Sequence, residues 1–241
     1  MKVKTTLLSA LLITAFSSPN TVLADEQATK ISIDKNSTAL LITDPQNDFL
    51  AETGAAYGLV KDNLKSVGTI DNIDSLFITA KAAKLPVFVS PHGYYPHDDQ
   101  WKSRGPIQQT MNDIDMFHVS HPINHTKFDN SGADFLPRYK KYIYDGKTTI
   151  TSPHKVYGPE SNDLVLQLRK QGIQTVIVGG MAANLCVDSH MRELVEQGFD
   201  VIMVKDAVGA PGDAAYQAAL TNYSMIAHAV VSTKDAIKLM K

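Results

Sequence analysis

Six short apolar runs, separated by segments of helical periodicity, constrain the fold of this 241-residue chain most strongly. Each run has the length of a strand, and TALLIT (38–43) is apolar almost throughout, which is typical of a strand covered on both faces. Because strands and helices alternate, the pattern predicts an α/β fold with a single doubly wound, mostly parallel six-stranded sheet and helices on both faces. The predicted strands are residues 38–43, 85–90, 147–152, 175–180, 200–207 and 227–233.

Predicted helices fill most of the connections between these strands. The last one opens with a capping-box pattern, in which Ser232 is followed three residues later by Asp235. Residues 91–147 are rich in Pro, His, Asp and Gly, and they are predicted to be irregular apart from one short helix. The predicted helices are residues 61–84, 106–117, 160–172, 186–198, 212–226 and 232–241.

The first 24 residues have the layout of a secretory signal peptide. Two lysines give a basic start, an apolar run covers residues 7–16, and small residues lead to Ala24. A membrane anchor is the alternative, but the apolar run is shorter than the roughly 20 residues that a span needs. We therefore expect cleavage after Ala24, export to the periplasm or the medium, and no membrane association afterwards. Residues 25–37 then form a lead-in, and residues 38–241 form one domain.

Charge and cysteine content exclude several classes of protein. The chain has 25 acidic and 23 basic residues and no arginine-rich run, so we expect no nucleic-acid partner. Its one cysteine, Cys186, cannot form an internal disulfide. The thiol is therefore a buried packing residue, half of an intermolecular bridge, or a reactive group.

Residues with catalytic chemistry follow three of the predicted strands. Asp44 and Asp48 follow the first strand, His154 and Lys155 the third, and Cys186 the fourth. Ligands bind beyond the carboxyl ends of the strands in such sheets, so these side chains are expected on the functional face. Each has an ordinary structural explanation, but an acid, a base and a thiol on one rim together indicate a nucleophile site.

The setting of Cys186 favours reactivity. The first turn of a helix presents free N–H groups and the positive end of the dipole, which would lower the thiol pKa, and a nearby lysine would act in the same direction. The small residues of GGMAAN (179–184) permit close backbone approach, so N–H groups there could hold an oxyanion.

The segments LLITDPQNDFL (40–50) and VIVGGMAANLCVDSHMRELVEQGFDVIMVKDA (176–207) resemble the isochorismatase-like cysteine hydrolase superfamily, with its Rossmann-like fold. The resemblance implies a catalytic triad of Asp44, Lys155 and Cys186. It also implies a cis peptide bond between Met181 and Ala182. The backbone N–H groups of Ala182 and Cys186 would form the oxyanion hole.

The implied activity is amide hydrolysis. Cys186 would attack a carbonyl carbon, with Asp44 as base and then acid and with Lys155 as electrostatic activator, and water would hydrolyse the thioester. Isochorismatases proper typically lack the cysteine, so its presence favours a small amide or a related C–N bond. The resemblance further implies a homo-oligomer, a dimer or larger.

Six residues are assigned to the substrate pocket. Phe49 matches a family position that packs against substrate, whereas the other aromatic residues and histidines could equally serve ordinary packing. The assigned residues are Phe49, His92, Tyr94, Trp101, His154 and Met181.

A metal-containing nicotinamidase is the main alternative. That branch binds a divalent metal through an Asp-x-His pair and further histidines after the second strand. Here Ser90 replaces the aspartate, while His92 and His97 remain, with Asp98 and Asp99 after His97 as possible further ligands. We therefore expect no cofactor, and a metal ion at His92 and His97 is the weaker prediction.

Two further alternatives are not amidases. A non-catalytic binding protein with this fold would have an unreactive Cys186. A redox thiol protein would need a resolving cysteine, which this chain lacks.

Overall fold

A computed structural model of the protein describes residues 31–121 and 127–241. The predicted signal peptide and residues 25–30 of the predicted lead-in lie outside these residues. All strand pairs of the sheet are parallel, and the strand order is β3-β2-β1-β4-β5-β6, which confirms the predicted α/β fold. The strands are β1 (Thr38–Thr43), β2 (Val87–Ser90), β3 (Thr149–Ile150), β4 (Thr175–Gly180), β5 (Asp200–Val208) and β6 (Ala229–Val231).

Helices cover both faces of this sheet. Two clusters of buried apolar side chains lie on opposite sides of the strands, and every residue of β1 is buried. Such double coverage explains the near-continuous apolar runs of the inner strands. The helices are α1 (Asn47–Leu50), α2 (Tyr57–Val67), α3 (Thr69–Ala82), α4 (Pro106–Asp113), α5 (Pro137–Ile143), α6 (Leu164–Lys170), α7 (Asp188–Glu196), α8 (Asp213–Ile226) and α9 (Thr233–Met240).

The predicted helix 61–84 is wrong as a single element. Gly68 separates α2 from α3 and has a positive φ of 76°, a left-handed conformation that ends helices and that glycine adopts without steric cost. The segment predicted to be mostly irregular also contains α5, which begins with Pro137 at its first position. Apolar periodicity alone could not reveal either feature.

The ends of β1 and β4 approach each other closely, and this positions the functional face. The N–H of Met181 donates to the carbonyl of Thr43 at 3.0 Å. Gly180 has a φ of 122°, and a Cβ there would lie 2.1 Å from the Thr43 carbonyl oxygen. Only glycine therefore fits, and the residues that follow both strands emerge side by side.

Within residues 31–121 and 127–241, no helix has both the length and the apolar character that crossing a bilayer requires.

Candidate active site

Asp44 lies directly after β1 and is fully buried. Its φ is 46°, in the left-handed region that aspartate tolerates better than most residues, and its N–H donates to the carbonyl of Ser90 at 3.0 Å. Strained backbone of this kind costs about 1–3 kcal/mol and tends to be kept where it aims a functional group. The carboxylate is thus turned into the cleft beyond the strand ends.

Cys186 lies in a π-helical turn, Ala183–Val187, between β4 and α7. The prediction that it occupies the first turn of an α-helix is therefore wrong in detail. Two contacts fix the turn: the Ala183 N–H donates to Gly209 at 2.7 Å, and the Tyr223 hydroxyl donates to the Ala183 carbonyl at 2.6 Å. Single π-helical turns of this kind often mark functional sites.

The thiol of Cys186 is only 1% exposed and lies next to the Asp44 carboxylate. The backbone N–H groups of Ala182 and Cys186 lie close enough to the sulfur to lower the pKa of the thiol. The peptide bond between Met181 and Ala182 is cis, as the resemblance implies. The two N–H groups assigned to the oxyanion hole thus converge with the acid on one atom.

The thiol pKa moves in the direction opposite to the one expected from the sequence. Burial and the negative charge of Asp44 raise the pKa of Cys186 well above its ordinary value, and the N–H groups of Ala182 and Cys186 only partly offset this. The resting thiol is therefore protonated. The thiol therefore has to pass its proton to a nearby base as the reaction begins.

The side chain beside Asp44 is His154, and Lys155 lies elsewhere. Nε2 of His154 is 2.7 Å from Oδ1 of Asp44, and both side chains are fully buried. Nδ1 of His154 bonds to the carbonyl of Lys155. His154, assigned from the sequence to the substrate pocket, thus has its ring in contact with the predicted base.

Lys155 forms a separate pair nearer the surface. Its ammonium bonds to Asp98 and donates to the carbonyl of Gly93 at 2.8 Å, and its side chain is 23% exposed. The ammonium also lies over three rings, at 5.1 Å from Tyr94, 4.7 Å from Tyr95 and 5.7 Å from Trp101. The expected contact between Lys155 and Asp44 is therefore replaced by a contact with Asp98.

Three buried histidine rings lie in a row across the site. The ring centroid of His154 is 5.0 Å from that of His92 and 4.7 Å from that of His190. His190 bonds through Nδ1 to the Cys186 carbonyl at 2.6 Å and through Nε2 to Ser90 Oγ at 2.9 Å. Ser90, which stands where a metal-binding branch would have aspartate, thus bonds to a histidine here.

The other predicted pocket residues divide into two groups. Tyr94 is buried against His92 and Trp101, and its hydroxyl has no partner among the described residues. Phe49 and Met181 belong to the apolar core, and Phe49 packs edge-on against Phe117 at 5.3 Å. His92, Tyr94 and Trp101 therefore border the site, whereas Phe49 and Met181 support it from beneath.

An apolar cavity of about 380 Å³ adjoins His92 on the β3 side of the sheet. Aromatic side chains and Gln46 form much of its wall, and the Gln46 amide is satisfied by His92 and Ala133 backbone groups. The cavity is large enough for a small molecule, and His92 connects it to the row of three histidine rings.

His97 does not belong to the cluster of possible metal ligands that contains His92 in the described part of the chain. His97 is 62% exposed, and its ring stacks on Tyr95. Among the described residues, the donors that converge belong to His92, His154 and Cys186, which lie within 4.8 Å of one another. Both ring nitrogens of His154 already have acceptor partners, so this donor set does not fit a metal ion.

Sequence reasoning missed His190 and the partner of Lys155. His190 stands four residues after Cys186 on the same helical face, so that spacing could have identified it. No local signal joins Asp98 to Lys155, because they are distant in the sequence. Asp48, singled out beside Asp44, instead accepts the N–H groups of Phe117 and Ala55, at 2.6 and 3.1 Å.

Comparison with known families identifies one match that covers most of the chain. A family model described as the isochorismatase domain matches residues 38–235. Ureidoacrylate amidohydrolase RutB from Klebsiella pneumoniae is 25% identical over 197 residues, or 80% of this chain and 82% of the relative. The isochorismatase family protein YwoC of Bacillus subtilis is 35% identical over 89 residues, which are 36% of this chain and 45% of YwoC.

Solved structures share the fold at low sequence identity. A cysteine hydrolase from Pseudomonas syringae pv. phaseolicola has a TM-score of 0.70 at 22% identity, covering 88% of this chain and 95% of the other. N-carbamoylsarcosine amidase from Thermoplasma acidophilum has a TM-score of 0.59 at 21% identity, covering 82% and 96%.

Proposed function

Because this chain belongs to the isochorismatase family of hydrolases, we propose that it cleaves a small amide or related C–N bond through a thioester on Cys186. One observation carries the proposal: the buried thiol lies within 4.8 Å of a ring nitrogen of His154, whose Nε2 bonds to Asp44, and both Asp44 and the N–H groups of Ala182 and Cys186 are near enough to shift the thiol pKa. A nucleophile, a base and oxyanion donors are thereby gathered around one atom.

Acylation begins with transfer of the thiol proton to Asp44. The sulfur attacks the substrate carbonyl carbon as the proton leaves, and the carbonyl π electrons move to oxygen. The N–H groups of Ala182 and Cys186 then stabilise the oxyanion. Asp44 returns the proton to the nitrogen, the C–N bond breaks, and an amine or ammonia departs from the thioester.

Deacylation uses the same groups with water. Asp44 accepts a proton from water while the water oxygen attacks the thioester carbonyl, and the same two N–H groups stabilise the second oxyanion. When the C–S bond breaks, the sulfur recovers the proton from Asp44 and an acid is released.

The cavity and the relatives support a choice of substrates to test. The cavity wall is mainly apolar, with His92 at one side, whose ring nitrogens have no partner within residues 31–121 and 127–241. Ureidoacrylate amidohydrolase and N-carbamoylsarcosine amidase are both named for substrates with a ureido or carbamoyl group. Small amides and ureido acids are therefore the first compounds to test.

Lys155 has a different role in this proposal. Its bonds to Asp98 and Gly93 tie the segment after β3 to the segment after β2. We assign it to holding these two segments together over the site, outside the proton-transfer path.

The proposal is tested by measuring ammonia release from a panel of small amides and ureido acids. Wild type and Cys186→Ala are compared, and mass spectrometry searches quenched wild-type reactions for an acyl adduct on Cys186. We expect turnover by wild type, a loss of several orders of magnitude in the variant, and unchanged thermal unfolding. Equal rates would exclude the nucleophile; binding without turnover by wild type would favour a non-catalytic protein.

A further inference from the structure

The hydrogen bonds of His154 define its protonation state. A carboxylate oxygen of Asp44 faces Nε2, and the carbonyl oxygen of Lys155 faces Nδ1. Both oxygens accept hydrogen bonds, so both ring nitrogens must donate. A neutral imidazole has only one N–H and would leave one of these short contacts between two lone pairs.

His190 provides an internal contrast. Its Nδ1 donates to the Cys186 carbonyl, whereas its Nε2 faces the hydroxyl of Ser90. Asn162 donates to Ser90 Oγ at 2.9 Å, which leaves the hydroxyl proton free to point at His190. A neutral ring therefore satisfies both contacts of His190. The ring nitrogens of His92 have no partner among the described residues, so no acceptor requires that ring to be charged either.

We propose that His154 is held as an imidazolium ion and supplies, at Asp44, the positive charge that the family resemblance had assigned to Lys155. His154 is a positioning residue in this scheme, because it acts on the reaction through Asp44. The inference rests on the proposed function for its catalytic consequence, although the charge state itself does not.

The charged and titratable groups around His154 are consistent with this assignment. Asp44 comes from the end of β1, His92 follows β2, Cys186 lies in the turn after β4, and His190 lies on α7. On its own segment, the ammonium of Lys155 is bonded to Asp98. Asp44 is therefore the one carboxylate that bonds to the ring among the residues described.

The pKa directions agree with the geometry. Burial alone would lower the pKa of His154, but the charge and hydrogen bond of Asp44, with the Lys155 carbonyl, raise it overall. Burial and the neighbouring His154 charge lower the pKa values of both His92 and His190 well below their ordinary value. One charged ring thus lies between two neutral rings.

The charge determines what Asp44 can do. Because Oδ1 is occupied by His154, the other oxygen, Oδ2, which is buried without a donor among the described residues, is available for the thiol proton. When His154 loses its proton, the carboxylate loses its counterion. Activity should then fall on the alkaline side of the pH profile, since a buried negative charge without a counterion is unfavourable and the site loses the arrangement that the ion pair holds.

The charge state can be measured directly by ¹⁵N NMR of the histidine rings, with resonances assigned from His154→Gln. We expect both nitrogens of His154 to be of the protonated type at pH 7, and one nitrogen each of His92 and His190 to be unprotonated. An unprotonated nitrogen in His154 at pH 7 would overturn the proposal. This measurement needs no substrate, so it stands apart from any failure of the proposed function.

The catalytic consequence is tested with pH profiles of kcat/KM for His154→Lys and His154→Gln. Lysine has an ordinary pKa of about 10.4, so we expect His154→Lys to retain activity with its alkaline limb displaced upward, and His154→Gln to lose at least about 100-fold at all pH values. His228→Gln is the control, since His228 precedes β6 at the opposite edge of the sheet. The role of His154 would be refuted if an active His154→Lys variant kept the wild-type alkaline limb of kcat/KM. It would also be refuted if a folded His154→Gln variant reacted at the wild-type rate.

Discussion

Adjacent residues in this chain form two aspartate–cation pairs in different environments. The inner pair, Asp44 with His154, is fully buried beside the thiol. The outer pair, Asp98 with Lys155, lies under aromatic rings and is partly exposed on the lysine side. The same stretch of backbone thus sends one cation inward and the next one outward.

The two pairs differ in their distance from solvent, and we expect them to differ in role for that reason. A buried carboxylate that loses its partner is left as an uncompensated charge, whereas a pair near the surface exchanges its partner for water at little cost. We therefore expect the inner pair to control reaction and stability together. The outer pair should influence mainly the order of the segments that it joins.

The largest expected difference is in turnover. Asp44→Asn removes the proton acceptor, so we expect kcat/KM to fall by about 10²–10⁴-fold, whereas Asp98→Asn should cost about tenfold or less. Steady-state rates on the best substrate of the amide panel provide the measurement. Equal losses in the two variants would remove the distinction between the pairs.

The second-largest expected difference is in stability, measured as the free energy of unfolding after each cation is removed. His154→Gln leaves Asp44 buried without a cation, and we expect a loss of about 3–5 kcal/mol in the free energy of unfolding. Lys155→Met leaves the buried Asp98 with the Tyr95 N–H as a remaining donor and with the partly exposed lysine position open to water, so the expected loss is smaller, about 1–2 kcal/mol. Urea unfolding of both variants measures the difference. A larger loss for Lys155→Met would reverse the ranking.

The pH dependence of stability should have two limbs. His92 and His190 have lowered pKa values, so the unfolded state binds more protons below about pH 6.5 and stability should fall as the pH decreases there. His154 has a raised pKa, so its contribution is complete below about pH 6.5 and is lost as the pH rises through its folded value. Urea unfolding across this range checks both limbs. In His154→Lys the alkaline limb should move upward while the acid limb remains.

The smallest effect is expected at Tyr94, which lies between the pairs. Its ring contacts His92, the Lys155 ammonium lies over it, and its hydroxyl is buried without a partner among the described residues. Tyr94→Phe removes an unsatisfied polar group, so stability should change by less than about 1 kcal/mol, or rise slightly. A KM increase with unchanged kcat, measured beside Trp101→Phe, would indicate that the hydroxyl binds substrate.

The sheet could be predicted because each strand has a local apolar pattern. The cation beside Asp44 could not be predicted, because the choice lies between two adjacent residues, His154 and Lys155. Apolar runs and family motifs located the strands, Asp44, Cys186 and the Met181–Ala182 bond. His154 and Lys155 are adjacent residues, and either could supply a positive charge. In extended backbone neighbouring side chains point in opposite directions, so only one of the two can face Asp44. The resemblance favoured the lysine, and only packing against Asp44 and Asp98 distinguishes the two.

The thiol pKa was mispredicted for a related reason. Helix position and a nearby lysine both argued for a thiolate, but neither reveals how completely a site is closed. Burial of Cys186 and the charge of Asp44 outweigh the two N–H groups. Solvent access depends on the whole fold, which no short motif encodes.

The hydroxyl of Tyr223, on α8, holds the carbonyl of Ala183 in the turn that presents the sulfur. One hydrogen bond therefore links α8 to the turn that contains Cys186. Substitutions or ligand binding that shift α8 should therefore change the position of the Cys186 sulfur without altering the residues around it.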